Sequence, residues 1–241
     1  SAESYYRAVA WNVERGICFD EILYFLKNHP ILSKADILLL TETDLGMARS
    51  GNRNVAKELA HQLHMNYFFA PSYLNLAKGS GIEHEFEGEN ELGIHGNAIL
   101  SRYPIRKPRI VSQPNTHDKM KGREKRLGNQ RALVVTVELP GHPIRVSSIH
   151  VNVRSTQKQR KKEIERVVHA LCEEGNQPAL IGGDWNTSTY DSHNAIAAIM
   201  GFWIRVSMGI GNMIRNHYPY HHRFFEKKLF CMLEEAGFNY K

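Results

Sequence analysis

From the N-terminus, the apolar positions of this chain switch between two periods. YYRAVAWNV, residues 5–13, has strand composition, and FDEILYFLKNH then sets Phe19, Ile22, Leu23 and Leu26 on one helical face. ADILLLTET reads as a buried strand. NVAKELAHQL returns to helical spacing through Val55, Leu59 and Leu63, and NYFFAPSYL is rich again in strand-favouring aromatics. The predicted order is strand, helix, strand, helix, strand.

The pattern then breaks. Residues 75–96 are rich in Gly and Glu without a period, which predicts a long surface loop with a flexible acidic rim, Glu83 to Glu91; His84 and His95 there are candidate donors for a second metal. NAILSRYPIRKPRIV gives two strands around a turn at Pro104. A second loop, residues 113–129, carries Lys119, Lys121, Arg123, Lys125 and Arg126 against Asp118 and Glu124, either a phosphate-tracking surface or a solvated charged loop. RALVVTVEL and IRVSSIHVNV read as strands. After Ser155, a candidate cap, Ile164, Val167, Val168, Leu171 and Cys172 make a helical stripe that Gly175 stops. PALIGGDWN returns to strand. The apolar run Ala195 to Ile214 reads as a buried helix with Gly209 and Gly211 as breakers, or else as a lid or lipid-facing patch. Near the end, Phe225, Leu229, Met232, Leu233 and Ala236 share one helical face before Gly237. One α/β domain with mixed or antiparallel strands follows.

Chemistry gathers where strands leave the core. Asn12 follows AW, Glu42 follows LLLT, His150 follows VSSI, and Asp184 and Asn186 follow LIGG. Singly, each reads as a turn former or cap. Together they supply oxygen donors without a thiolate, which suits a hard cation such as Mg2+ or Mn2+ that keeps waters for a substrate phosphate. A neighbouring histidine can stabilise phosphoryl charge or move a proton, so the pattern points to metal-assisted phosphoester hydrolysis.

Composition narrows the partners. The 241 residues are 42% hydrophobic, enough for a packed core, and the formal charge of +6 favours an anionic partner such as nucleic acid or a phosphorylated lipid head group. The three cysteines, Cys18, Cys172 and Cys231, are too few and too scattered for a disulfide framework, and read as buried or incidental thiols. Apolar runs short of a membrane span and the lack of a charged-then-apolar leader predict a soluble protein, and the cysteine usage leans towards a reducing, cytoplasmic compartment.

The segments AWNVERG, LLLTETD, HGNAILSRYPI, SSIHVNVRS and IGGDWNTST resemble, in order and rough spacing, the motifs of the endonuclease/exonuclease/phosphatase family. That family includes pancreatic-type deoxyribonucleases, abasic-site endonucleases, sphingomyelinases and inositol polyphosphate phosphatases. The resemblance covers nearly the whole chain and implies a four-layer α/β/β/α sandwich with two mixed, mostly antiparallel central sheets. It implies metal binding at Asn12 and Glu42, with Glu42 the direct ligand. Asp184 would activate water, Asn186 would hold the phosphate, and His150 would bond a phosphate oxygen in the transition state. Asn97 and Arg131 would lie beside substrate.

In that family a further Asp and a closing Ser-Asp-His motif follow the last segment present here. Residues 1–241 are therefore expected to form a single domain, C-terminally incomplete or else naturally short; in the second case His95, His217, His221 and His222 are the histidines available to replace the absent one, though each reads first as solvated. The expected activity is that of a metal-dependent phosphodiesterase or nuclease. The alternatives are a phosphatase or sphingomyelinase-like enzyme on a lipid or inositol phosphate, and a binding module that has lost turnover.

Overall fold

The computed structural model describes residues 5–121, 124–173, 175, 177–187, 195–217, 222 and 226–240, excluding the side chains of 197, 216 and 217. Arg123, His221, Phe225 and the side chain of His217, singled out above, lie outside the described residues.

The predicted alternation folds into two sheets. The first is built from β1 (Ala8–Arg15), β2 (Ile37–Leu45), β3 (Asn66–Asn75), β4 (Ile94–Ser101) and β6 (Arg126–Gly128), in the order β1-β2-β4-β3-β6. The second contains β5 (Ile105–Ser112), β7 (Arg131–Leu139), β8 (His142–His150) and β9 (Ala179–Asp184), in the order β5-β7-β8-β9. The pairs β1–β2 and β8–β9 are parallel, and the other described pairings are antiparallel.

Side-chain alternation explains how the sheets are covered. Leu38 and Leu40 of β2 point into a core shared with α1 (Phe19–Asn28) and α2 (Val55–Leu63). Ile37 and Leu39, from the same strand, point the other way and meet Leu133, Val135, Val137 and Val146 of the second sheet. That sheet's outer face, with Ala132, Val134 and Ile149, packs on α3 (Gln157–Cys172) and on a later helix, Lys227–Glu235. Three cores thus separate helix, sheet, sheet and helix. The continuous apolar run of β2 is what a strand buried on both faces requires, and truncating Leu40 to alanine is expected to cost about 2–5 kcal/mol.

Several local readings change. The segment expected to be an irregular acidic loop contains a 3-10 turn, Gly81–Glu85, closed by a reciprocal Ser80–Glu83 capping box. Within the basic loop the chain adds β6 to the sheet edge. Thr156, not Ser155, caps α3, accepting from Gln159 N while the Gln159 side chain accepts from Thr156 N. Ser155 instead turns inward and donates to Asn152 O. α4 (Ala195–Ser207), read as buried, exposes Ile196, Ile199, Met200, Phe202 and Trp203. It is followed by the short α5 (Ile210–Asn212), and Lys227–Glu235 is α6. All three cysteines are free and exposed, so they are not core thiols. No helix among the described residues is long and apolar enough to cross a membrane.

Candidate active site

The β1–β2 and β8–β9 parallel pairs end at the same place. In the first pair Asn12 faces Thr41, and both strands then lose register, β1 between Asn12 and Arg15 and β2 between Leu40 and Thr43. Glu42 sits in that irregularity with φ 55°, a left-handed conformation uncommon outside glycine. Such bulges re-aim a side chain, and here the carboxylate leaves the sheet where a regular strand would have buried it like Thr41 and Thr43 on either side.

The second pair depends on the glycines of LIGGD. A Cβ on Gly182 would lie 2.5 Å from Leu39 Cδ1, so its absence lets β9 close onto the first sheet. Gly183, at φ 132°, could carry no Cβ without meeting Ile149 O at 2.0 Å. The tight approach puts Asp184 opposite His150 in register. Beyond it Asn186, at φ 48°, turns back: its backbone N–H donates to Asp184 Oδ1 at 3.1 Å and its Nδ2 donates to Val151 O at 2.8 Å.

Four sequence-selected side chains therefore converge, with Asn186 beside them. Asn12 Nδ2 donates to Glu42 Oε1 and to Asp184 Oδ2, 3.1 Å each, joining the two sheets through one amide. His150 Nε2 stands 3.8 Å from both Glu42 Oε1 and Asp184 Oδ2. Burial pushes the His150 pKa down, outweighing the two carboxylates, and favours a neutral imidazole. Burial would raise the Glu42 carboxyl, but His150, His95, Arg15 and the Asn12 amide together hold it below its ordinary value.

The two residues expected beside substrate behave differently. Asn97 is only 2% exposed, and both ends of its amide are used by the protein: Oδ1 accepts from Glu42 N at 3.4 Å, and Nδ2 donates to Arg131 O at 2.9 Å. The amide thus links the backbones of Glu42 and Arg131. A Cβ at the preceding Gly96 would meet Ala70 O at 2.1 Å, which explains the glycine in HGNAILS. Arg131 is partly buried, and its Nε donates to Asn129 Oδ1 at 3.4 Å.

Beneath this cluster lies a group of charges centred on Arg49, which the sequence did not single out. Arg49 is buried and pairs with Asp44 at 2.7 Å, Glu83 at 3.2 Å and Glu124 at 2.8 Å. Asp44 also faces His95 Nδ1 at 2.7 Å, and Glu83 reaches Arg15 at 2.9 Å, which in turn lies 3.6 Å from Glu42. Glu83 and His95 are thus committed to a buried ion network rather than to a mobile rim or a second metal. His222, a stand-in considered for the closing histidine, packs against the rings of Phe230 and Tyr240.

No group of three His, Cys, Asp or Glu side chains among the described residues is arranged to hold a metal. Asn12 turns its Nδ2 to the cluster while its Oδ1 accepts from Glu14 N at 3.0 Å, so the oxygens offered there are the carboxylates of Glu42 and Asp184, and these fit a hard cation that takes few protein ligands.

Two mixed sheets whose parallel pairs bring an amide, two carboxylates and a histidine to a common end define the class: a two-sheet α/β protein with a polar site at its strand ends. Residues 9–223 match the Endonuclease/Exonuclease/phosphatase family, and the chain belongs to that family. Among solved structures it is similar to an endonuclease/exonuclease/phosphatase from Beutenbergia cavernae DSM 12333, at 20% identity and a TM-score of 0.56, over 81% of this chain and 52% of that one. It is also similar to the human Nocturnin catalytic domain with bound sulfate anion, at 16% identity and a TM-score of 0.50, over 88% of this chain and 73% of that one. A family protein from Leptotrichia buccalis C-1013-b matches at 16% identity and a TM-score of 0.50, over 83% of this chain and 74% of that one. At these identities the likeness is one of fold. The chain spans about half the length of the Beutenbergia protein. No curated protein matches the sequence.

Proposed function

We propose that this chain carries the catalytic site of a divalent-metal-dependent phosphodiesterase acting on nucleic acid. The observation that supports it best is the meeting of Asn12, Glu42, His150 and Asp184 across the two sheets. Glu42, with Asn12 beside it, would hold Mg2+ or Mn2+, and the ion would supply polarisation of a phosphoryl oxygen.

The remaining work falls to the side chains. Asp184 takes the proton of the attacking water at a carboxylate oxygen. His150, neutral, donates a hydrogen bond to a non-bridging phosphate oxygen as charge grows there. Asn186, braced by its bonds to Val151 and Asp184, would hold the phosphate. Asn97 keeps Glu42 in its strained backbone conformation.

The test is hydrolysis of plasmid DNA and of bis-(p-nitrophenyl) phosphate with magnesium, beside Asp184→Ala and a chelator control. Cleavage lost in both controls is the expected result. A folded, metal-binding chain that cleaves neither substrate would instead indicate a binding module. One observation favours a second reading: the exposed Ile196, Ile199, Met200, Phe202 and Trp203 of α4 suit a lipid surface, and thus a lipid phosphodiester. Sphingomyelin or an inositol phosphate outcompeting DNA would support it.

A further inference from the structure

β1 carries one more charged side chain to the strand end where Asn12 and Glu42 meet. In a regular strand Arg15 would share the face of Trp11 and Val13, which lies against the core of α1 and α2. The register slip between Asn12 and Arg15 turns it off that face, and its guanidinium reaches Glu42 instead, with Nη1 standing 3.6 Å from Oε2. The backbone that makes this turn is held in a form that side chains disfavour: Glu14 at φ 44° and Arg15 at φ 67° are both left-handed. Two hydrogen bonds hold it there, from Glu14 N to Asn12 Oδ1 at 3.0 Å and from Gly16 N to Val13 O at 2.8 Å.

Two arginines share Glu83, and they are used differently. Arg49 is buried, with Nε and Nη2 on Asp44 and Nη1 on Glu83 and Glu124, so each of its nitrogens is committed to a carboxylate. The Arg15 side chain is 24% exposed and is anchored at one end only, where Nε lies 2.9 Å from Glu83 Oε1. Glu83 is itself fixed by Arg49 and by the N–H of Ser80 at 2.7 Å, so the anchor is rigid. At the other end, Nη1 stands beyond hydrogen-bond length from Glu42, and Nη2 forms no hydrogen bond or ion pair among the described residues. Glu42 thus has a donor beside each oxygen: His150 Nε2 is 3.8 Å from Oε1, and Arg15 Nη1 is 3.6 Å from Oε2. A guanidinium already fixed by its Nε loses little freedom when its terminal fork takes up an anion, and that fork matches phosphate oxygens.

We infer that Arg15 is a further catalytic residue of the candidate active site, its terminal N–H groups donating to a non-bridging oxygen of the same phosphate that His150 contacts from the other side of Glu42. This rests on the phosphodiesterase reading and adds to it a fixed positive charge supplied by the chain itself. The charge is available because Glu42 cannot serve Arg15 and a divalent cation in full at once. With Glu42 turned to the cation, Arg15 keeps only Glu83, and its fork is left to the phosphoryl oxygens as negative charge grows on them.

The test has one arm that needs no turnover. In the Asp184→Ala background, inorganic phosphate is titrated calorimetrically at saturating magnesium against chains with Arg15 intact, Arg15→Lys and Arg15→Met. Phosphate affinity should fall about tenfold or more in Arg15→Met, and by less in Arg15→Lys, which keeps the charge without the fork. An arginine that merely offsets Glu42 and Glu83 would move the urea midpoint or the magnesium affinity and leave phosphate affinity as it was; that result, or no phosphate binding even with Arg15 intact, overturns the inference. The second arm is turnover of bis-(p-nitrophenyl) phosphate, where kcat should fall about 10²–10³-fold in Arg15→Met and recover in part in Arg15→Lys. Equal kcat in wild type and Arg15→Met overturns the inference even though the chain is then a phosphodiesterase. A chain that hydrolyses nothing, yet loses phosphate affinity with Arg15→Met, keeps the phosphate contact and removes the phosphodiesterase reading. If Arg15→Met fails to fold, phenylglyoxal modification of the wild-type chain, read at Arg15 by mass spectrometry, decides instead: inorganic phosphate should slow it, and an unchanged rate overturns the contact.

Discussion

Asp184 Oδ1 and Oδ2 are each engaged by an amide, from Asn186 and Asn12, so removing the carboxylate empties the centre of the site without touching a core side chain. Asp184→Ala is expected to lower hydrolysis about 10²–10³-fold or more, with circular dichroism unchanged. Turnover equal to wild type would remove Asp184 from the mechanism. Glu42→Gln is expected to weaken magnesium binding, and an unaltered metal titration would exclude Glu42 as a ligand. The polar residues at strand ends were legible because each closes an apolar run of period two. The left-handed backbone at Glu42 was not, since it arises from register slips against β1 and β4, strands distant in sequence. The main-chain partners of Asn97 were hidden for a related reason: an amide in a strand looks alike in sequence whatever it bonds.

At the scale of elements, the Arg49 network ties the acidic segment to the basic one through Glu83 and Glu124, with Asp44 of β2 between them. Replacing Arg49 with Met would leave three carboxylates facing each other in a dry interior, at an expected cost of about 3–5 kcal/mol measured by urea denaturation. An effect below about 1 kcal/mol would mean the segments are held by something else. The buried Arg160–Glu226 pair at 2.7 Å does similar work between α3 and the start of α6. Helices and core strands were readable from periodicity. The two segments taken for surface loops were not, because their structure comes from charge pairing across long stretches of chain, and composition cannot distinguish a glutamate in water from one on a buried arginine. Exposure of α4 was likewise hidden, since an apolar helical stripe is the same sequence whether or not another element covers it.

On the scale of the molecule, Glu163 makes stability depend on pH. Its carboxyl holds a proton up to about pH 7 in the folded chain, against an ordinary value of 4.5, because burial disfavours the charge. Since the folded value is the higher one, its contribution is fully present below the unfolded value and is lost as pH rises through the folded one. Glu163→Gln should match wild type near pH 4 and gain on it by up to about 3 kcal/mol near pH 8. A constant difference across that range would contradict the assignment. A broader consequence follows from the single amide of Asn12, which bonds a carboxylate on each sheet. The two halves of the proposed reaction centre ride on separate sheets, so under that proposal neither half survives alone and hydrolysis would report whether the sheets remain docked. In a urea series the activity should vanish at the same midpoint as the tertiary signal, all at once. An enzyme that kept working after its sheets began to part would have to draw its chemistry from one of them.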